Sequence, residues 1–289
     1  MISLLFSALV SPQTNESSAW VAELLRSAPA SAPSQYIKPP IRHPNGGVIA
    51  PDGELDPRAP GVPASTEVDN SPWAVLRRRA SELLDHRDYE GAFREILLTH
   101  PDDELEGPGD VFLDAALLSG RHALAEKVLV QQVRLRQRPG VHVFSNTVEL
   151  ELSIATALRG KVYPGQGAYV LADLRESLSV YPDQARLVEK LKVPTTPRDV
   201  AFVSLLALAK SGSCMRPLVY LEKAFEMDPK CELAADELLS GYEGQKRYAD
   251  AARVATSMLK WLPAGEKRDL YAWCLERVQK GQEAAKAGG

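Results

Sequence analysis

The side chains with the most chemical potential in this chain are its histidines, cysteines and acidic clusters. His43, His86, His100, His122 and His142 include no pair three or four residues apart, and Cys214, Cys231 and Cys274 form no CxxC pair. Zinc sites draw closely spaced Cys and His ligands from one turn or hairpin, so no metal centre is expected. An odd number of cysteines argues against a disulfide framework, and the three thiols read as small buried side chains on packed helices. Asp102, Asp103, Glu104 and Glu106 form an acidic cluster that follows Pro101 and runs into Gly107-Pro108-Gly109. It reads as a solvated loop rather than a cation site. Glu149, Glu151 and Asp173 would serve a hydrolase only if a hairpin held them at a fixed separation. GxSxG, HExxH, a P-loop and a strand-borne GxGxxG are all absent. Gly165-Gln166-Gly167 lacks a preceding strand and a third glycine, and reads as a turn. The expectation is a non-enzymatic chain without a cofactor.

Composition sets the class. The 289 residues suffice for one large domain or two small ones, with ordinary apolar (45%) and charged (25%) fractions. A formal charge of −4 gives no basic excess for phosphate, so nucleic acid is not an expected partner. The densest basic cluster, Arg77-Arg78-Arg79, reads as a solvated helix face. No run reaches the roughly 18 apolar residues of a membrane span. Residues 2–10 are apolar, and Ser17-Ser18-Ala19 offers small residues for cleavage before Trp20. That reads as a secretory leader over 1–19, although no Lys or Arg precedes it and residues 12–16 are polar. An exported or periplasmic location is therefore read ahead of a cytoplasmic one.

Two unlike halves must position whatever function there is. Ten of the 21 prolines fall within residues 1–70, alongside Asn45-Gly46-Gly47 and Asp52-Gly53. Residues 20–70 are expected to form a disordered, Pro- and Gly-rich arm. Its one periodic stretch is 18–28, where Trp20, Val21, Leu24 and Leu25 recur at helical spacing. That segment reads as a partner-binding helix, as a helix packed back on the domain, or as the ragged start of an exported chain. From residue 71 to 285 apolar residues recur every three or four positions, in stripes at 75–84, 92–97, 111–118, 123–133, 148–158, 169–180, 200–210, 218–227, 233–242, 249–262 and 270–278. Glycines and prolines punctuate them. Short helices with tight joints imply antiparallel hairpins. Only His142-Val143-Phe144 alternates like a strand, and it is very short.

An internal period appears on testing for one. Pro229 and Pro263 stand 34 residues apart (263 − 229), and each closes a helix. Ahead of Pro263 come Leu238-x3-Tyr242 and Tyr248-x2-Ala251. A second copy over 198–231 contains Ala201, Leu205, Leu208, Leu221, Ala224 and Pro229, and related offsets recur from Ala80 to Ala92 and at Ala125. Ala224, Pro229, Leu238, Tyr242, Tyr248, Ala251 and Pro263 form the packing signature: small residues let paired helices approach, aromatics fill the gap to the next pair, and proline stops the second helix.

This pattern resembles the tetratricopeptide repeat family, clearly over 198–231 and 232–265, and loosely over 73–137. Leu239, Ala255 and Pro217 depart from the family's usual residues. Residues 138–195 fit only as an irregular pair with an extra short helix near 184–191. The resemblance implies an all-α, right-handed superhelix of antiparallel helix pairs that acts as a protein-interaction scaffold. Its concave groove would be lined by Asp199, Phe202, Leu206, Leu233, Asp236 and Ser240, with Leu270 and Cys274 from a capping helix at 266–285. One branch of the family clamps a C-terminal carboxylate with Lys and Asn. Asp236 and Ser240 stand at those positions, so an apolar or mildly basic protein segment is the expected partner. The helix bearing Phe202, Leu205 and Leu206 is apolar nearly all round, which suits a buried core as well as a groove. The inner side of the capping helix is expected to be Leu270, Trp273, Leu275 and Val278, with Glu266, Lys267, Arg268, Arg277 and Lys280 in water. The alternative is an exported hydrolase built on the irregular middle.

Overall fold

A computed structural model describes residues 19–27, 72–97, 110–136, 147–212, 214 and 216–287. The leader-like run, the Pro-rich arm beyond residue 27, the acidic loop at 102–106 and His142-Val143-Phe144 lie outside the described residues. Within them the three- and four-residue spacing forms thirteen α-helices and no strand. They are α1 (Ala19–Ser27), α2 (Pro72–Asp85), α3 (Tyr89–Leu97), α4 (Asp110–Leu118), α5 (His122–Arg136), α6 (Thr147–Leu158) and α7 (Gln166–Leu178). There follow α8 (Pro182–Glu189), α9 (Pro197–Lys210), α10 (Pro217–Met227), α11 (Glu232–Gly244), α12 (Tyr248–Leu259) and α13 (Glu266–Ala287).

Helix starts and stops follow local chemistry. Pro182, Pro197 and Pro217 occupy first-turn positions, where the missing N–H costs nothing. Thr196 caps α9: its Oγ1 accepts from the Asp199 N–H at 3.2 Å and donates to the Asp199 carboxylate at 2.7 Å. The stops are more regular. α2, α4, α6 and α11 each end on a residue in the left-handed region: Arg87 (φ 66), Gly120 (φ 85), Gly160 (φ 77) and Lys246 (φ 58). At each, that residue's N–H bonds three residues back and the next N–H bonds five back, as in Lys246 to Glu243 and Arg247 to Tyr242. This is the Schellman arrangement, which satisfies carbonyls that the helix end leaves free. Two of the four joints use a residue with a Cβ where glycine is the favoured type.

Helices adjacent in sequence pack together: α2 on α3, α4 on α5, α5 on α6, and α9 through α13 each on the next. The middle differs. α9 lies against both α6 and α7, which touch each other only lightly. α6 and α9 are buried almost all round, so each must be covered on several sides. Where they meet, Ser153 and Ser204 share a hydrogen bond at 2.8 Å. Gln166, at the start of α7, donates to Ser153 and Thr156 and accepts from the Tyr163 N–H at 2.9 Å, so this buried amide is satisfied. Gly165-Gln166-Gly167 is thus a helix entry: Gly165 caps α7 in the left-handed region. A Cβ on Gly167 would stand 1.9 Å from the Pro194 carbonyl oxygen.

Polar contacts between successive units recur at a fixed chain separation. Glu90–Arg121, Glu126–Arg159, Glu222–Arg253, Glu232–Lys267, Asp236–Tyr271 and Glu243–Arg277 are 31 to 35 residues apart. The described residues form an all-α assembly of helices packed in sequential pairs.

The last helix corrects one expectation. Tyr271 and Val278 are its buried residues and Leu275 is half-buried, whereas Leu270 and Trp273 are each 53% exposed. The ties from α13 to α11 set its rotation: Lys267 to Glu232, Tyr271 to Asp236 and Arg277 to Glu243 point one face inward. Arg268 is also turned inward, donating to the Leu262 carbonyl at 2.8 Å beyond the end of α12.

Lys246 is exposed and strained by its left-handed backbone. Replacing it with glycine is expected to stabilise the fold by about 1 kcal/mol, read as a higher urea midpoint at unchanged slope.

Candidate functional site

Of the four buried acids among the described residues, Asp114 and Glu222 each anchor a cluster closed by cations from distant parts of the chain. Asp114 sits on the otherwise apolar α4 and is 3% exposed. Its carboxylate accepts from Arg216 at 2.6 Å and from the Tyr220 hydroxyl. Arg216 also donates to Ser81 Oγ on α2 at 2.7 Å. One guanidinium therefore links the start of α10 to α4 and α2. Burial, together with the nearby Asp114 and Glu151 charges, holds the Tyr220 hydroxyl well above its ordinary pKa, so it acts as a donor.

Glu222, on the buried side of α10, is 1% exposed. It accepts from the Tyr242 hydroxyl and Arg253, and pairs with Arg87 at 3.5 Å. Arg87 reaches from the α2–α3 joint to Asp250 at 2.5 Å and Tyr242 Oη at 3.4 Å. Burial opposes the Arg87 charge, but Glu222, Tyr242 and Asp250 more than offset it. Arg247 binds Asp250 as well, at 2.8 Å. A shallow, open depression lies beside this cluster, lined by Lys246, Arg247, Tyr248, Asp250, Gln282 and Ala285.

Both clusters were missed from sequence. The available signal was a lone acid within an apolar stripe: Asp114 in Val-Phe-Leu-Asp-Ala-Ala-Leu-Leu, and Glu222 in Val-Tyr-Leu-Glu-Lys-Ala-Phe. A buried acid at such a position requires a cation or several donors.

Of the groove residues, Asp199, Asp236 and Ser240 are exposed and Phe202 is half-buried, while Leu206 and Leu233 lie in the core. Leu205 is buried too. The Asp236 carboxylate accepts from the Tyr271 hydroxyl of α13. Among the signature residues, Ala224, Leu238, Tyr242 and Ala251 are buried. Tyr248 and Pro229 are half-buried, and Pro263 is exposed. The Tyr248 ring lies where a Cβ on Gly281 would stand, 2.8 Å from the nearest ring atom, so α13 approaches α12 closely.

Two of the three acids considered for a hydrolase lie near one tyrosine. Glu149 bonds the Tyr169 hydroxyl, and Asp173 is close enough to influence it. Glu151 acts instead on Tyr220 and Cys214. Among the described residues no group of three His, Cys, Asp or Glu side chains is placed to hold a metal ion. No helix among them is long and apolar enough to cross a membrane. The three cysteines are free and half-buried. Contrary to expectation only Cys274 lies within a helix: Cys214 sits in the α9–α10 joint and Cys231 caps α11. Burial pushes the Cys214 thiol up to about 12 and Cys231 up to about 11.

No protein-family model, curated protein or solved structure matches the chain.

Two outcomes test these assignments. Arg216→Met leaves Asp114 buried without its cation and is expected to cost about 3–5 kcal/mol in denaturant unfolding. The double variant Asp114→Asn/Arg216→Met should recover a large part of that loss, because the pair is coupled. Burial holds both thiols above their ordinary range, so at pH 8 iodoacetamide should modify Cys214 and Cys231 at least roughly a hundredfold more slowly in the folded chain than in urea. Peptide mass spectrometry at timed quenches reads this directly.

Proposed function

We propose that the chain is a non-enzymatic, tetratricopeptide-like scaffold that holds a segment of another protein along the first helices of its later pairs. The observation that carries this reading is the set of positions on α9, α11 and α13 that the domain's own packing leaves in solvent. Asp199, Asp236, Ser240, Leu270 and Trp273 are exposed there and Phe202 is half-buried. The mixture of large apolar groups and acids suits an apolar segment with basic flanks. The family reading is supported by the 31-to-35-residue step of the polar contacts and by the left-handed joints at Arg87 and Gly120, 33 apart (120 − 87), and at Gly212 and Lys246, 34 apart (246 − 212). The right-handed superhelix that the family resemblance implies is part of this proposal. Trp273 carries the stacked Arg277 guanidinium 4.4 Å from its ring centroid, a geometry suited to an aromatic hot spot.

Two variants on this face separate binding from folding. Ser240→Lys alters an exposed position and should leave helical circular dichroism and melting unchanged, while partner recovery in tagged pull-downs from the native cell falls about tenfold. Trp273→Ala should act in the same direction. Partner recovery unchanged in both variants would refute this face as the binding surface.

A further inference from the structure

α1 is separated from α2 by residues 28–71 of the chain, yet it is docked on the bundle far along the sequence. Trp20, Val21 and Leu24 are at most 1% exposed. The indole lies 6.5 Å from the Tyr163 ring centroid and 6.0 Å from that of Tyr169. These rings belong to the α6–α7 joint and α7, more than 130 residues away from Trp20 (163 − 20 = 143).

The docking is carried by apolar side chains. Among the described residues no side-chain hydrogen bond or ion pair ties α1 to another helix: Glu23 pairs with Arg26, and Ser27 bonds the Leu24 carbonyl, both within α1. The Trp20 Nε1–H is buried without an acceptor. α1 meets the bundle through side chains, its backbone standing further out than those of paired helices. Nine residues are too few to hold a helix alone in water, so α1 is ordered by its seat. Its attachment therefore rests on the apolar side chains of Trp20, Val21 and Leu24, with Leu25 half-buried beside them, opposed by the ordering of a whole segment and by one unsatisfied donor.

We infer that the Tyr163–Tyr169 seat is a second docking surface, for an amphipathic helix bearing a tryptophan followed by aliphatic residues one and four positions on, and that α1 is its tethered, reversible occupant. When α1 leaves, the seat accepts a helix of the same chemistry from another chain, in the helix-in-groove mode. The surface is separate from the open side of α9, α11 and α13, and the inference stands or falls independently of that proposal.

The test uses the full-length chain and a fluorescein-labelled peptide of residues 17–29. Trp20→Ala empties the seat, and fluorescence anisotropy is expected to show saturable binding of the peptide. Binding to the unsubstituted chain should be about tenfold weaker, because the tethered α1 competes at high effective concentration. Adding Tyr169→Ala to Trp20→Ala should abolish it. Absence of binding to Trp20→Ala, or equal affinity for both chains, overturns the inference. Hydrogen exchange on the unsubstituted chain gives a reading free of mutation: α1 amides should exchange at least about tenfold faster than those of α9. Equal protection would make α1 a fixed part of the core and overturn the inference too. The peptide reports on this seat alone, so its outcome leaves the pull-down result on Ser240→Lys untouched.

Discussion

Two carboxylates inside an apolar bundle set the terms for the rest of the molecule. Asp114 and Glu222 are almost completely removed from water. An isolated charge in such a place is untenable, so each must be met by cations and hydroxyls. The partners come from far along the chain: Arg216 and Tyr220 for Asp114, Arg87 and Tyr242 for Glu222, with Arg253 from the neighbouring pair. Sequential packing alone would leave the first pair in contact only with the next. The two clusters instead bind α2 and its joint to α10, α11 and α12. Apolar burial supplies the bulk of the stabilisation, but the buried charges fix which helices face each other. Where one partner is lost, the other is left as a cost rather than merely an absence.

The described assembly also has a repeated local solution. A left-handed residue ends the first helix of several pairs, with the same two backbone hydrogen bonds each time. Because the joint is built from backbone hydrogen bonds, it tolerates arginine and lysine where glycine is the easier choice. At Arg87 the reason is visible. The side chain that strains the joint is the one that reaches Glu222 and Asp250, so the unfavourable backbone is offset by buried ion pairing. At Lys246 no such return is seen, and the strain has no compensating contact that the structure explains.

Much of this was legible in the residues. Apolar spacing and breakers placed the helices to within a few positions, and the 34-residue interval between Pro229 and Pro263 marked the step that the polar contacts follow. The short helix around Trp20 was readable as well, although the spacing left open whether it packed on the domain. What did not read through was rotation and distance. The exposure of Leu270 and Trp273 depends on which face of α13 the ties to α11 turn inward, and hydrophobicity alone favoured the tryptophan. That α9 would lie against both α6 and α7 follows from two helices apolar all round, a pattern with no preferred face to read. For Leu206 and Leu233 the family frame nominated a groove, but their positions are taken up by the core, leaving the polar members of that set in solvent. Asp114 and Glu222 were visible as isolated acids. Their partners, more than a hundred residues off for Arg216 and Arg87, carry no local signature.

The reach of Arg87 has a consequence for how the chain is made. Asp250, its nearest partner, is added 163 residues later (250 − 87). At ribosomal rates of about 5–20 residues per second, that interval is on the order of ten seconds or more. For most of it the first helix pair has been made while α10, which carries Glu222, has not, and the Arg87 guanidinium stays hydrated. The Tyr163–Tyr169 seat arises part-way through the same interval, long after Trp20 has left the ribosome. For the 143 residues of synthesis between Trp20 and Tyr163 (163 − 20) the nascent chain thus carries an apolar amphipathic segment with nowhere of its own to place it. A chaperone that recognises short apolar helices would find its clearest target there, before the molecule closes on itself.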